Sequence, residues 1–426
     1  MNDILNIKYE KHTLENGLEV VLYQDKSLPI VSVNLWYKVG SANETNGKTG
    51  FAHLFEHMMF QGSKNVPKEM HFKFIEEAGG NLNGSTSFDR TNYYETLPSN
   101  SLELALWLES DRMGFLLEAL TQDKLDNQKD VVMNERRQRY DNQPYGLSWE
   151  LIFSHLFPEN HPYHWPTIGW MEDIEKFELS DVREFFKTYY SPNNASLVVG
   201  GDIEYDSALE LVKMYFDEIP IGKPISDISV PHVKLNENKK IVHKDNVQLS
   251  KLYLTWETTK LYDTDDATLD ILSDVLTGSK NGRLFKSLVF DKQIAQDVSS
   301  FQYSADITGM FIIIATAKPG VSLAALKTEI ETEINKIIED GITNKEFERS
   351  INTVKSSFIY SLQNLNSIVN QINNYNSNLG EPNSFIYDLS RFQKINTDEI
   401  KGIAKKYLKN HFVELHIVPK EDSNES

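Results

Sequence analysis

The order of secondary-structure signals repeats along this chain, and that repeat restricts the fold more than any single residue does. Residues 181–201 read as a helix, a turn and an apolar strand at Ala195–Val199; residues 398–419 read as a helix, a turn and a strand at Val413–Val418. Each half also opens with strands that lead into helices. In the first, Leu18–Tyr23 and Ile30–Val39 precede helices around 102–120 and 126–140; in the second, Lys240–His243 and Leu252–Glu257 precede a helix from Asp265 and a Gly-containing turn at 277–282. Between them, residues 220–231 hold three prolines and little periodicity, which reads as a linker. Sequence identity between the halves is slight, but the recurring order implies an internal duplication and a mixed α+β fold. The expected organisation is an N-terminal domain at 1–219, the linker, and a homologous C-terminal domain at 232–426.

Only the first half carries a concentration of chemistry. His53-Leu54-Phe55-Glu56-His57 is an H-x-x-E-H constellation in a segment, Phe51–Phe60, that follows Gly50 and contains no proline. On a helix, positions i and i+4 share a face, so both imidazoles can aim at one point, with Glu56 beside them. Two histidines and a neighbouring carboxylate suit a catalytic zinc ion, which takes three protein ligands and acidifies a water in its open position; Glu56 is the candidate general base. The bland reading is a packed or solvated histidine pair.

Zinc chemistry asks for a third ligand, and the sequence offers one downstream. Residues 126–140 read as a long charged helix with Val131, Val132 and Met133 as its apolar strip, and it contains Asn134-Glu135-Arg136-Arg137. Glu135, on a helix packed across the first, would complete a His, His, Glu site. The alternative is an exposed Glu neutralised by its arginine neighbours.

With these segments in view, the chain resembles the pitrilysin family, the inverzincins, which includes pitrilysin, insulin-degrading enzyme and the mitochondrial processing peptidase. The likeness rests on His53–His57 together with Gly79-Gly80-Asn81-Leu82-Asn83-Gly84-Ser85-Thr86, Asp89-Arg90-Thr91-Asn92-Tyr93-Tyr94 and Asn134–Arg137, and it runs through essentially the whole chain. It implies a pair of α+β domains, each with a mainly antiparallel sheet packed by helices. It also implies a zinc endopeptidase with His53, His57 and Glu135 as ligands, Glu56 as base, and Asn83 and Gly84 on an edge strand that pairs with the substrate backbone.

Two departures from the family pattern stand out. Many relatives carry a second Glu two helical turns before the third ligand; here that position is Gln128, whose neutral amide is expected beside the site but not on the metal. Active members also present an Arg and a Tyr from a later domain, which polarise the scissile carbonyl. Along Arg283–Gln296 those positions hold Val289 and Gln296. Some half-length members divide the work between two subunits, so this chain is expected to be the zinc-bearing subunit of a heterodimer with a homologous partner that supplies Arg and Tyr, a homodimer being the other arrangement. Against that stands a substitute within the chain, Arg283 or Tyr303. A non-catalytic scaffold of the same fold is the competing function, but it would not require an intact polar cluster between two packable helices.

Composition narrows the remaining classes. A net charge of −19 disfavours nucleic acid and anionic membranes as partners. The absence of cysteine excludes disulfides and thiolate metal sites. The amino terminus has no basic stretch followed by an apolar core, so the expected location is cytoplasmic, or periplasmic if an export signal was removed. His161-Pro162-Tyr163-His164 and Asp141–Gly146 read as ordered structural turns, and the Asn-rich 362–379 segment keeps helical spacing of its apolar residues.

Overall fold

The computed structural model describes residues 5–226, 228–230 and 233–420. Strands β1 (Tyr9–Thr13), β2 (Glu19–Gln24), β3 (Ile30–Tyr37), β4 (Asn81–Thr86), β5 (Thr91–Pro98) and β6 (Ala195–Gly201) form one sheet in the order β1-β2-β6-β3-β5-β4. Strands β7 (Lys239–Asp245), β8 (Lys251–Thr258), β9 (Ala295–Ser304), β10 (Gly309–Ala317) and β11 (Val413–Pro419) form a second, in the order β7-β11-β8-β10-β9. The topologies superimpose strand for strand. In each, the last strand in sequence lies parallel to the first of the shared set (β6 on β2, β11 on β7), and every other pairing is antiparallel. The duplicated, mainly antiparallel α+β architecture expected from the sequence is therefore present, with β1 as an addition to the first copy.

The helices do not respect the midpoint of the chain. By packing, one compact unit comprises residues through Arg136, Trp165–Ile228 and Ile359–Tyr387, and the other comprises Arg137–His164, Ser229–Phe358 and residues from Asp388 onward. Residues 227 and 231 of the expected linker lie outside the described residues; the rest of 220–231 forms neither helix nor strand.

The reason that 359–387 belongs with the first sheet is visible side chain by side chain. Strand alternation turns Ser32, Asn34 and Trp36 of β3 and Asn92 of β5 toward the helix Leu365–Leu379, whose amides answer them. Asn373 Nδ2 donates to the Asn34 carbonyl at 2.9 Å and the Ser196 carbonyl at 3.1 Å, and Asn376 Nδ2 donates to Ser196 Oγ at 2.8 Å and Glu19 at 3.0 Å. Asn370 Oδ1 accepts from Asn34, Trp36 and Asn92. The Asn-rich segment is thus a helix, as its periodicity implied, but its amides join Val369, Ile372 and Tyr375 on the buried face. On the opposite face of the sheet, Tyr93 of β5 lies under the Arg112 guanidinium, 4.1 Å from the ring centroid, and Arg112 pairs with Glu109 on its own helix, Leu102–Ala119. In the second unit a continuous apolar core runs from Leu252, Leu254 and Trp256 of β8 through the helices Asp266–Thr277 and Leu323–Asp340 to Phe412.

Candidate metal centre and active site

The motif segment is the helix Phe51–Met58, which buries Phe51, Ala52, Leu54, Phe55 and Met58. Its start is fixed by two glycines in backbone contact. Gly50, at φ +89°, is the N-cap, and Gly169, at φ +78°, lies so close that a Cβ on Gly169 would sit 2.3 Å from the Gly50 nitrogen. No side chain fits between them. The Glu44 carboxyl accepts from the Gly50 and Ala52 N–H groups at 2.9 and 2.7 Å, satisfying two donors that every helix start leaves open. Complete burial nonetheless pushes the Glu44 carboxyl up to about 8, against those hydrogen bonds.

This helix packs against the helix Gln122–Arg136 and against β4. The helix that bears Glu135 starts four residues earlier than its charge pattern suggested, and its buried face is Leu125, Gln128, Val132, Met133 and Arg136; Val131 is exposed. Turns of 3.6 residues, rather than a consecutive apolar strip, decide that face. Arg136 donates to the Gly169 carbonyl at 2.8 Å and lies over the Trp170 ring, so the loop that holds Gly50 also holds the end of this helix, beside Glu135.

The result is convergence. His57 Nε2 lies 3.2 Å and His53 Nε2 3.8 Å from the same Glu135 oxygen, with the three side chains between 15% and 24% exposed. One ligand atom from each of the three residues falls within 4.8 Å of the other two. Ligands about 2.0–2.2 Å from a tetrahedral zinc ion stand roughly 3.3–3.6 Å apart, and two imidazoles with a carboxylate are a common catalytic zinc set. The donor set therefore fits zinc in type and spacing.

Glu56 lies against β4. Thr86 Oγ1 donates to Glu56 Oε2 at 2.5 Å, and a Cβ placed on Gly84 would meet Glu56 Cγ at 3.2 Å and Oε1 at 3.3 Å. Glycine at 84 thus permits the strand to approach the carboxyl closely. Burial raises the Glu56 carboxyl above its ordinary range; the Thr86 hydrogen bond and the positive field of His57 oppose the shift, and Glu135 adds to it.

Strand β4 is an outer strand, and among the described residues no other strand pairs with its free side. The Ser87 N–H donates to the Arg90 carbonyl at 2.9 Å, which sets the hairpin's alternation: the backbone groups of Asn83 and Ser85 face β5, and those of Gly84 face outward. Of the two residues expected on the substrate edge, Gly84 presents its backbone. Asn83 contributes a side chain, whose Oδ1 accepts from the Gly84 N–H at 2.9 Å. Gln128 is buried, and its side-chain hydrogen bond goes to Asn127; none reaches His53, His57 or Glu135.

The second unit clarifies the other candidates. Arg283 is held by Glu346 through two hydrogen bonds of 2.7 and 3.0 Å and also donates to the Gly341 carbonyl. Its guanidinium draws the Glu346 carboxyl down to about 2 despite burial. Val289 packs against the apolar core, and Gln296 is exposed on β9. His161 is buried with its ring stacked on Phe157 at 4.5 Å, and its Nδ1 accepts from the Tyr163 N–H, so this loop is structural. Thr86, Glu44 and Arg90 carried no role in the sequence reading. The signal available for Thr86 was strand alternation, which sets positions 84 and 86 on one face.

Comparison with known proteins identifies the family to which this fold belongs. The profile described as "Insulinase (Peptidase family M16)" matches residues 19–161, and that described as "Peptidase M16 inactive domain" matches residues 176–354. The chain is similar to zinc protease PqqE of Helicobacter pylori, 33% identical over 375 residues that cover 86% of this chain and 83% of that protein. It is also similar to the uncharacterized zinc protease YmxG of Bacillus subtilis, at 25% identity over 93% of this chain and 95% of that one. The crystal structure of a protease from Helicobacter pylori superimposes with a TM-score of 0.90 at 30% identity, covering 97% of this chain and all of that one. By fold, sequence and matched profiles, the chain belongs to the insulinase family, peptidase family M16.

Proposed function

We propose that the chain is the zinc-bearing subunit of a metalloendopeptidase that hydrolyses peptides or unfolded polypeptides. The observation that carries this reading is the convergence of His53, His57 and Glu135 beside a half-buried Glu56. Zinc held by those three residues would acidify water and polarise the scissile carbonyl. Glu56, on the same helix, takes the proton from the attacking water and returns it to the leaving amine. The free edge of β4 pairs with an extended peptide through the backbone of Gly84, with Asn83 yielding its hold on the Gly84 N–H, and so lays the scissile bond along the motif helix. Gln128 contributes to the wall of the site and not to the ligand set.

The second half of the reading is a division of labour. Arg283 is committed to Glu346, and Val289 to the core, so the segment expected to bring an Arg and a Tyr brings neither; a homologous partner subunit supplies them. The halves 1–219 and 232–426, joined by 220–231, are proposed as the duplicated units, of which only the first retains the chemistry. Among the described residues no helix is long and apolar enough to cross a membrane. The test is cleavage of a mixed unstructured peptide pool by the zinc-loaded chain, with Glu56→Gln beside it. Zinc-dependent cleavage that appears only when a homologous subunit is added, and is lost in the variant, is expected. Activity that survives Glu56→Gln contradicts the base, and robust cleavage by the chain alone contradicts the partner.

A further inference from the structure

We infer that Thr86 is a positioning residue for Glu56, so that strand β4 serves both as the edge that receives a peptide and as the brace that orients the base. The inference deepens the peptidase reading and rests on it. Its geometry is local. The Glu56 carboxyl lies along one face of β4, with Oε2 receiving the Thr86 hydroxyl proton and Oε1 beside Gly84. A carboxyl at the end of a Glu side chain has a broad terminal torsion, and a hydroxyl on a strand confines it to one orientation. Held this way, one oxygen is fixed on the strand while the other stays open to accept a proton.

The strand behind Thr86 is itself pinned. Arg90 Nη1 donates to the Ser85 carbonyl at 2.9 Å, to the Ser85 hydroxyl and to Asn92 Oδ1 at 2.8 Å, and its guanidinium lies 5.3 Å from the Trp36 ring centroid. Ser87 Oγ meanwhile accepts from the Asp89 and Arg90 N–H groups across the hairpin turn. Asn92 continues the chain of contacts to Asn34, in the middle of the sheet. The hairpin that carries both the peptide edge and the Thr86 hydroxyl is therefore tied to the middle of the sheet through Arg90 and Asn92.

Two readouts test this. The first needs no activity: a double-mutant cycle of Thr86→Val and Glu56→Ala on the unfolding of the metal-free chain. A hydrogen bond to a charged group predicts that the two substitutions are coupled by about tenfold in the folding equilibrium constant; additivity within twofold overturns the inference while leaving the peptidase reading intact. The second is kinetic, on the zinc-loaded chain in its cleavage-competent assembly. Thr86→Val is expected to lower kcat at least tenfold with KM and zinc content unchanged, and Thr86→Ser, which keeps the hydroxyl, to restore most of the loss. Full kcat in Thr86→Val, or no recovery in Thr86→Ser, overturns the positioning role. A chain whose cleavage survives Glu56→Gln points instead to failure of the base assignment itself.

Discussion

The backbone contact between Gly50 and Gly169 yields a quantitative prediction, because the same chain contains its own control. Gly169→Ala places a methyl 2.3 Å from the Gly50 nitrogen and 2.4 Å from its Cα, where ordinary contact begins at 3.4 Å, so two backbone segments must separate by about 1 Å. The left-handed conformation at φ +78° adds roughly 1–2 kcal/mol for an L side chain. Forcing a backbone apart in a packed region costs about another 1–3 kcal/mol. Gly47→Ala, at φ +86° with nothing within 4 Å, incurs only the conformational cost. Unfolding by urea or heat should therefore show Gly169→Ala less stable than Gly47→Ala by about 1–3 kcal/mol, roughly 2–12 °C in Tm for a unit of this size. The strained contact lies at the N-cap of the helix that bears His53 and His57, and ligand sets tolerate only about 0.5 Å of misplacement, so zinc affinity should fall by roughly 10–100-fold in Gly169→Ala alone. Equal Tm values for the two variants, or wild-type zinc affinity in Gly169→Ala, would refute the argument that this contact sets the helix bearing His53 and His57.

Three further outcomes follow from particular groups. Arg283→Ala should destabilise the chain by about 1–3 kcal/mol, because it strands the Glu346 carboxyl. Since Glu346 is drawn down to about 2 from its ordinary 4.5, the pair's contribution is present above 4.5 and lost as pH falls toward 2, so the gap between wild type and variant should narrow over that window in acid titrations followed by circular dichroism. Glu44 titrates in the opposite sense: with its carboxyl raised to about 8, its contribution is present below 4.5 and lost as pH rises through about 8. Glu44→Gln should abolish that slope, so that wild type gains on the variant as pH is lowered from 8 to 5 in thermal scans; a pH-independent difference would contradict it. Asn373→Ala removes the donor to two buried strand carbonyls and should cost about 2–4 kcal/mol, measurable as reduced hydrogen-exchange protection of β3 and β6.

Much of this molecule was legible because its decisive signals are short-range. His53 and His57 lie one turn apart, so helical spacing alone brings their imidazoles together, and the duplicated order of strands and helices anticipated two sheets of the same topology. What escaped depends on contacts distant in sequence. No local pattern announces that Gly169 must meet Gly50, that Glu44 caps a helix six residues on, or that Arg283 is taken by Glu346. The charge-rich helix around Glu135 was read through its consecutive apolar residues, which misplaced Val131 and the first turn. The helix 365–379 was recognised by its apolar residues alone; that asparagines form part of its buried face follows from an answering row of Ser and Asn on β3, β5 and β6, which periodicity in one segment does not reveal.

The central claim is that His53, His57 and Glu135 form one zinc site and Glu56 stands outside it. Metal content of the purified, zinc-equilibrated chain, measured beside His57→Ala, Glu135→Ala and Glu56→Gln, addresses it most directly. One zinc per chain in the wild type and in Glu56→Gln, with loss of stoichiometric zinc in the other two, is the predicted result. Zinc retained at full stoichiometry in Glu135→Ala, or lost in Glu56→Gln, would contradict the assignment.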